Sequence, residues 1–163
     1  MTTTIFLKAK KAFAITGLLL MGLVTLNSCD DDDDDDVNNT PYVVTGSANA
    51  AQVVPAGTST GTGAFTGTYN PANRSLTYTT SWTGLTGAPT SAGFYSGASG
   101  SNGTAAGTAW TIAPGATGTG SMTGTMTLTA EQATQLINGN WYYSYGTTAN
   151  SAGEIRGQLT ATR

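Results

Sequence analysis

The sequence predicts an all-β fold, an antiparallel β-sandwich of Greek-key type or a related barrel, with one short helix near residues 130–138. Three observations predict it. Thr and Gly make up about a third of the 163 residues, and Thr favours strands while Gly favours turns. Apolar and polar residues alternate with a period of two in several short segments. Turns rich in Gly, Asn and Pro separate those segments at short intervals.

Phe65, Gly67 and Tyr69 share one face of the first clear strand, which Asn70-Pro71-Ala72-Asn73 closes as a turn. Leu76, Tyr78, Thr80 and Trp82 then alternate with Thr77, Thr79, Ser81 and Thr83. The two segments read as a hairpin with an apolar face and a wet, Thr-rich face. Gly84 and Gly87 end it. Met122, Gly124, Met126 and Leu128 alternate with Thr123, Thr125 and Thr127 in the same way. Thr129-Ala130-Glu131-Gln132 has the spacing of a capping box, Ala133, Leu136 and Ile137 fall on one helical side, and Asn138-Gly139 stops the helix. Glu131 in its first turn complements the helix dipole. Trp141 to Tyr145 is an aromatic strand, and Ile155, Gly157 and Leu159 mark the last one.

The N-terminus reads as an address rather than as part of the fold. Lys8, Lys10 and Lys11 precede an apolar stretch from Ala12 to Leu26, shorter than the roughly twenty residues a membrane span needs. The stretch ends in Leu26-Asn27-Ser28-Cys29, which resembles the lipobox of bacterial lipoproteins, where the Cys is acylated after cleavage. The expected organisation is a lipoprotein signal peptide over 1–28, a lipidated Cys29 with an acidic flexible tether to residue 40, and a β-sandwich domain over 41–163. Asp30 to Asp36 repel one another and stay solvated. An acidic run directly behind the lipid-bearing Cys also resembles an outer-membrane sorting signal. Its lack of a Gly turn and terminal Glu argues against a calcium loop.

Charge and composition exclude much chemistry. The net charge is −3, yet seven of the nine acids are the Asp30–Asp36 run. From Val37 onward, Arg74, Arg156 and Arg163 stand against Glu131 and Glu154, or +1. A domain this weakly charged has no basic patch for nucleic acid. The chain has no His and one Cys, which removes Ser-His and Cys-His catalysis, imidazole-ligated metals and a disulfide framework. A two-carboxylate hydrolase would have to use Glu131 and Glu154, or borrow an Asp from the Asp30–Asp36 run. No cofactor and no metal are expected, and the protein is read as a non-enzyme.

Ala51-Gln52-Val53-Val54-Pro55, Gly61-Thr62-Gly63-Ala64-Phe65, Leu76-Thr77-Tyr78, Ser81-Trp82-Thr83-Gly84-Leu85 and the terminal Gly153-Glu154-Ile155-Arg156-Gly157-Gln158 resemble the CHRD (chordin) domain. The resemblance spans nearly all of residues 42–162. It implies an immunoglobulin-like β-sandwich with distant likeness to copper-zinc superoxide dismutase. In animals the domain is associated with a binder of extracellular growth factors. The family commonly places a His-x-His pair where this chain has Gly93 and Tyr95, a further His at Gly146 and an acid at Val53. A metal or acid–base site built from those positions cannot exist here, so dismutase activity does not transfer.

Glu154 and Arg156 remain, two apart on a strand and so on one face. They read as a structural ion pair, with a polar-ligand site as the alternative. Tyr95, Trp141, Tyr143 and Tyr145 form a candidate aromatic surface for sugar or peptide, although the last three, at strand spacing, read more readily as core. The expected protein is a non-catalytic, lipid-anchored component of the cell envelope, in the outer membrane on its periplasmic or surface face. Its partners would be the membrane through Cys29 and an unknown protein or glycan. A self-associating adhesin or matrix protein is the first alternative, and a carboxylate hydrolase the remote one.

Overall fold

The computed structural model describes residues 39–163. The expected signal peptide, Cys29 and the Asp30–Asp36 run lie outside the described residues. The strands are β1 (Tyr42–Asn49), β2 (Thr62–Asn70), β3 (Ser75–Thr83), β4 (Pro89–Ser96), β5 (Thr104–Ala105), β6 (Gly120–Thr127), β7 (Trp141–Thr147), β8 (Ile155–Gln158) and β9 (Thr160–Thr162). One α-helix, α1 (Ala130–Ile137), joins β6 to β7. The all-β antiparallel class read from the alternation holds, and so does the short helix near residues 130–138.

The strand order is β5-β4-β7-β8-β1-β2-β3-β6, with β9 also paired to β1. Hydrogen bonding therefore runs unbroken around one curled sheet. The C-terminal segment makes the join. Asn49 opposite Arg156 and Thr45 opposite Thr160 share one register, so β8 and β9 are a single strand interrupted at Leu159. Its first half pairs with β7, and its second half pairs with β1. At the interruption the Leu159 N–H turns to the Trp141 carbonyl at 2.8 Å.

The curl closes on aromatic rings. Phe65 of β2 lies 5.7 Å from Phe94 of β4 and 5.4 Å from Tyr143 of β7. Tyr78 of β3 meets Phe94 edge-on at 5.1 Å. Trp110, in the long connection between β5 and β6, stacks on Tyr78 and sits edge-on to Phe94 at 4.8 Å. Edge-to-face and offset geometries like these contribute about 0.5–1.5 kcal/mol per pair beyond burial of area. The β3 rings require room on both sides. Tyr78 faces Gly67 and Gly124, and Trp82 faces Gly63 and Gly120. A Cβ at Gly124 would stand 2.5 Å from the Tyr78 hydroxyl, and one at Gly120 2.5 Å from the Trp82 ring. These strand glycines are seats for the neighbouring rings.

The capping box forms as its spacing predicts. The Gln132 N–H donates to Thr129 Oγ1 at 3.1 Å, and the Thr129 N–H donates to Gln132 Oε1 at 2.9 Å. Ala133 and Leu136 are buried, but Ile137, expected on the same side, is 36% exposed. It is the last helical residue, where the chain already turns away toward β7.

Candidate functional site

Ile155, Gly157 and Leu159 face the core, which places Glu154 and Arg156 on the opposite face of the C-terminal strand. Both are nonetheless buried, at 1% and 3% exposure, because two separate sets of loops cover them.

Glu154 is enclosed by hydroxyls. Its Oε1 accepts from Ser59 Oγ at 2.7 Å and from the Thr86 N–H at 2.8 Å. Its Oε2 accepts from Thr86 Oγ1 at 2.7 Å and Thr147 Oγ1 at 2.5 Å. Its own N–H is held by the Tyr145 carbonyl at 2.7 Å. Burial pushes the carboxyl pKa up, but the hydrogen bonds from Thr147, Thr86 and Ser59 outweigh it and hold the group at about 2. A carboxylate that accepts several hydrogen bonds is stabilised in its charged form even without a cation beside it.

Arg156 is enclosed by carbonyls. One Nη donates to the Ser101 carbonyl at 2.8 Å, and the other to the Ala98 carbonyl at 2.9 Å and Gln158 Oε1 at 3.1 Å. The guanidinium carbon lies 3.6 Å over the centre of the Tyr142 ring, and Tyr142 in turn stacks on Tyr95 at 5.2 Å. Burial pulls its pKa below the ordinary value, and the Tyr142 phenol, not a carboxylate, pulls the other way.

The expected Glu154–Arg156 ion pair is thus corrected. Sharing a strand face brings the two residues near each other, but each takes its own neutral partners from different loops. Glu154 ties the β1–β2 and β3–β4 connections to the end of β7. Arg156 ties the loop after β4 to β8. The aromatic surface is corrected too. Trp141, Tyr143 and Tyr145 are fully buried, because the face of β7 that carries them closes the core. Only Tyr95 of that set is partly open. Glu131 and Glu154 do not meet either: Glu131 lies on α1 before β7 begins, while Glu154 packs beyond its far end at Thr147.

A cavity of about 200 Å³ lies beside Arg156, walled by Val53, Tyr95, Asn102, Tyr142 and Ser144. Ser144 stands directly opposite Arg156 in the β7–β8 register. Asn102 donates across it to the Val54 carbonyl at 3.0 Å, and the Gly103 N–H donates to the Tyr142 hydroxyl at 3.0 Å. Sequence reasoning singled out Arg156, Tyr95 and the aromatic strand that carries Tyr142. It missed Ser59, Thr86 and Thr147, three hydroxyl residues among many. Two positions where the CHRD resemblance calls for an acid or a His, Val53 and Tyr95, line this same cavity.

No curated protein and no solved structure matches the chain. The CHRD domain profile matches residues 44–159, which spans the described strands from the third residue of β1 to the Leu159 interruption. On that match the chain belongs to the CHRD domain family.

Proposed function

We propose that this protein is a non-catalytic domain of the bacterial cell envelope, moored by an acylated Cys29 and held off the membrane by the Asp30–Asp36 tether, with the outer membrane as its address. It recognises a partner and does not transform one. The observation that carries this is the state of Glu154. Four donors occupy its oxygens and its pKa is held near 2. It has no proton to give at neutral pH and is a poor base, whereas an acid–base catalyst works best with a pKa near the operating pH. The surface that remains for recognition is the loop end around Arg156.

The anchor is tested in the producing cell. One acyl chain gives only reversible membrane binding, and a second makes it stable. Labelling with radioactive palmitate is expected to mark the wild-type chain and not Cys29→Ser, and globomycin is expected to block its processing. A processed chain released without label overturns the anchor.

A second reading, self-association as a matrix component, has an observation of its own. Thr45, Thr66, Thr79 and Thr123 stand in register across β1, β2, β3 and β6, with Thr68, Thr77 and Thr125 in the adjoining row. All are exposed, so the outer face is an ordered array of hydroxyls and methyls. Solution scattering should then show particle mass rising with concentration; a constant monomer mass removes this reading.

A further inference from the structure

We propose that the cavity beside Arg156 is a site for a monoanionic carboxylate, whose charge completes the buried guanidinium. This rests on the binding role above and names the chemistry of its ligand.

Arg156 is 3% exposed, and a buried cation is costly unless it is paired. An arginine carries five N–H donors in a planar fork. Three go to Ser101, Ala98 and Gln158, all of them neutral acceptors. Among the described residues, two N–H groups and the whole formal charge are left without an anionic partner. Glu154, the nearest acid along the strand, is spent on Ser59, Thr86 and Thr147. The cation also lines the cavity, so the missing partner has a place to sit.

The cavity selects the ligand. Its volume of about 200 Å³ corresponds to about six or seven waters at ~30 Å³ each, enough for a carboxylate and the few atoms that carry it. A guanidinium matches a carboxylate in shape as well as charge. A dianion such as phosphate would bring one charge too many, because among the described residues no second cation lines the cavity. Arg163 lies over the Tyr42 ring, and Arg74 belongs to the β2–β3 turn. At the wall, the Asn102 amide already donates to the Val54 carbonyl and the Ser144 hydroxyl to the Ile155 carbonyl, which leaves their oxygens as acceptors for hydroxyls or amides next to the acid, as in a sugar acid.

The test uses the full chain in detergent with ¹⁵N-labelled arginine. The domain beyond Val37 has three arginines, so few Nε–H resonances need assigning. Acetate and glucuronate are expected to shift one of them saturably, while glucose and sodium chloride at equal ionic strength leave it in place. Ser144→Asp puts a carboxylate directly across from Arg156. It is expected to raise the melting temperature and to weaken acetate binding at least tenfold. Arg156→Lys, which keeps charge but loses the fork, should also weaken binding; if it fails to fold, Ser144→Asp alone decides. No shift with acetate, an equal shift with chloride, tighter binding of inorganic phosphate, or unchanged acetate affinity in Ser144→Asp would each overturn the site. A specific partner captured from envelope extract despite a silent acetate titration would leave the binding role standing and remove only the carboxylate.

Discussion

Glu154→Ala is expected to lower the melting temperature by on the order of 10 °C. The substitution strips an acceptor from four donors at once. The three hydroxyls can rotate toward other acceptors, but the Thr86 N–H is fixed by the backbone. Leaving a buried donor unsatisfied costs about 1–3 kcal/mol, and the loosened loops add to it. A total near 3 kcal/mol is a large fraction of the 5–15 kcal/mol that holds a typical domain, and each kcal/mol moves the midpoint by roughly 2–8 °C at this size. Glu154→Gln keeps one oxygen for the Thr86 N–H and is expected to lose less. An unchanged melting curve for Glu154→Ala would mean that the hydroxyl cage contributes nothing.

The same residue sets the acid limb. Its folded pKa of about 2 lies below the ordinary 4.5, so the native state binds fewer protons than the unfolded chain between those values. The stabilisation it gives is therefore complete above about pH 4.5 and is lost as pH falls toward 2. Denaturation midpoints measured across this window should fall steeply for wild type and stay much flatter for Glu154→Gln. A variant with the wild-type slope would place the titrating group elsewhere.

Tyr143→Ala is the second large effect, expected to cost about 3–5 kcal/mol as other buried aromatic truncations do. Tyr143 is fully buried. It meets Phe65 at 5.4 Å and Tyr145 at 6.2 Å, and its hydroxyl donates to the Gly46 carbonyl at 3.3 Å. The ring thus bridges β7 to β2, and its hydroxyl reaches β1, where the sheet curls back on itself. Tyr143→Phe, which removes only that hydroxyl, should cost about 1 kcal/mol. Urea denaturation distinguishes the alternatives, since an aromatic on a ligand platform would change stability by only about 0.5 kcal/mol.

The residues differ in how far the sequence reveals them. Trp82 and Tyr78 show their strand face because a period of two is local, and the hairpin is closed by chemistry within the turn. The Asn70 and Asn73 side chains accept from the Ala72 and Ser75 N–H groups. The α1 cap is equally local, a bond between Thr129 and Gln132. Glu154 is different. Its donors come from positions 59, 86 and 147, and nothing at those positions sets one Ser or Thr apart from dozens of others. Spacing along the strand suggested Arg156 as its partner, yet a spacing of two fixes only the face, not what the loops lay over it. Tyr142 shows the same limit: the aromatic strand that carries it is local, but the guanidinium that covers its ring arrives from another strand.

The sequence by itself determined the strand faces, the helix and its cap, the family, and the chemistry ruled out by the missing histidines, because each depends on composition or on neighbours a few residues apart. Only the tertiary structure decided that the sheet is one continuous curl, that Glu154 is caged by hydroxyls, and that Arg156 borders a cavity with no counter-ion among the described residues. Those outcomes depend on which distant loops come to rest over the last strand, and burial gives a charge its energetic meaning only once they do.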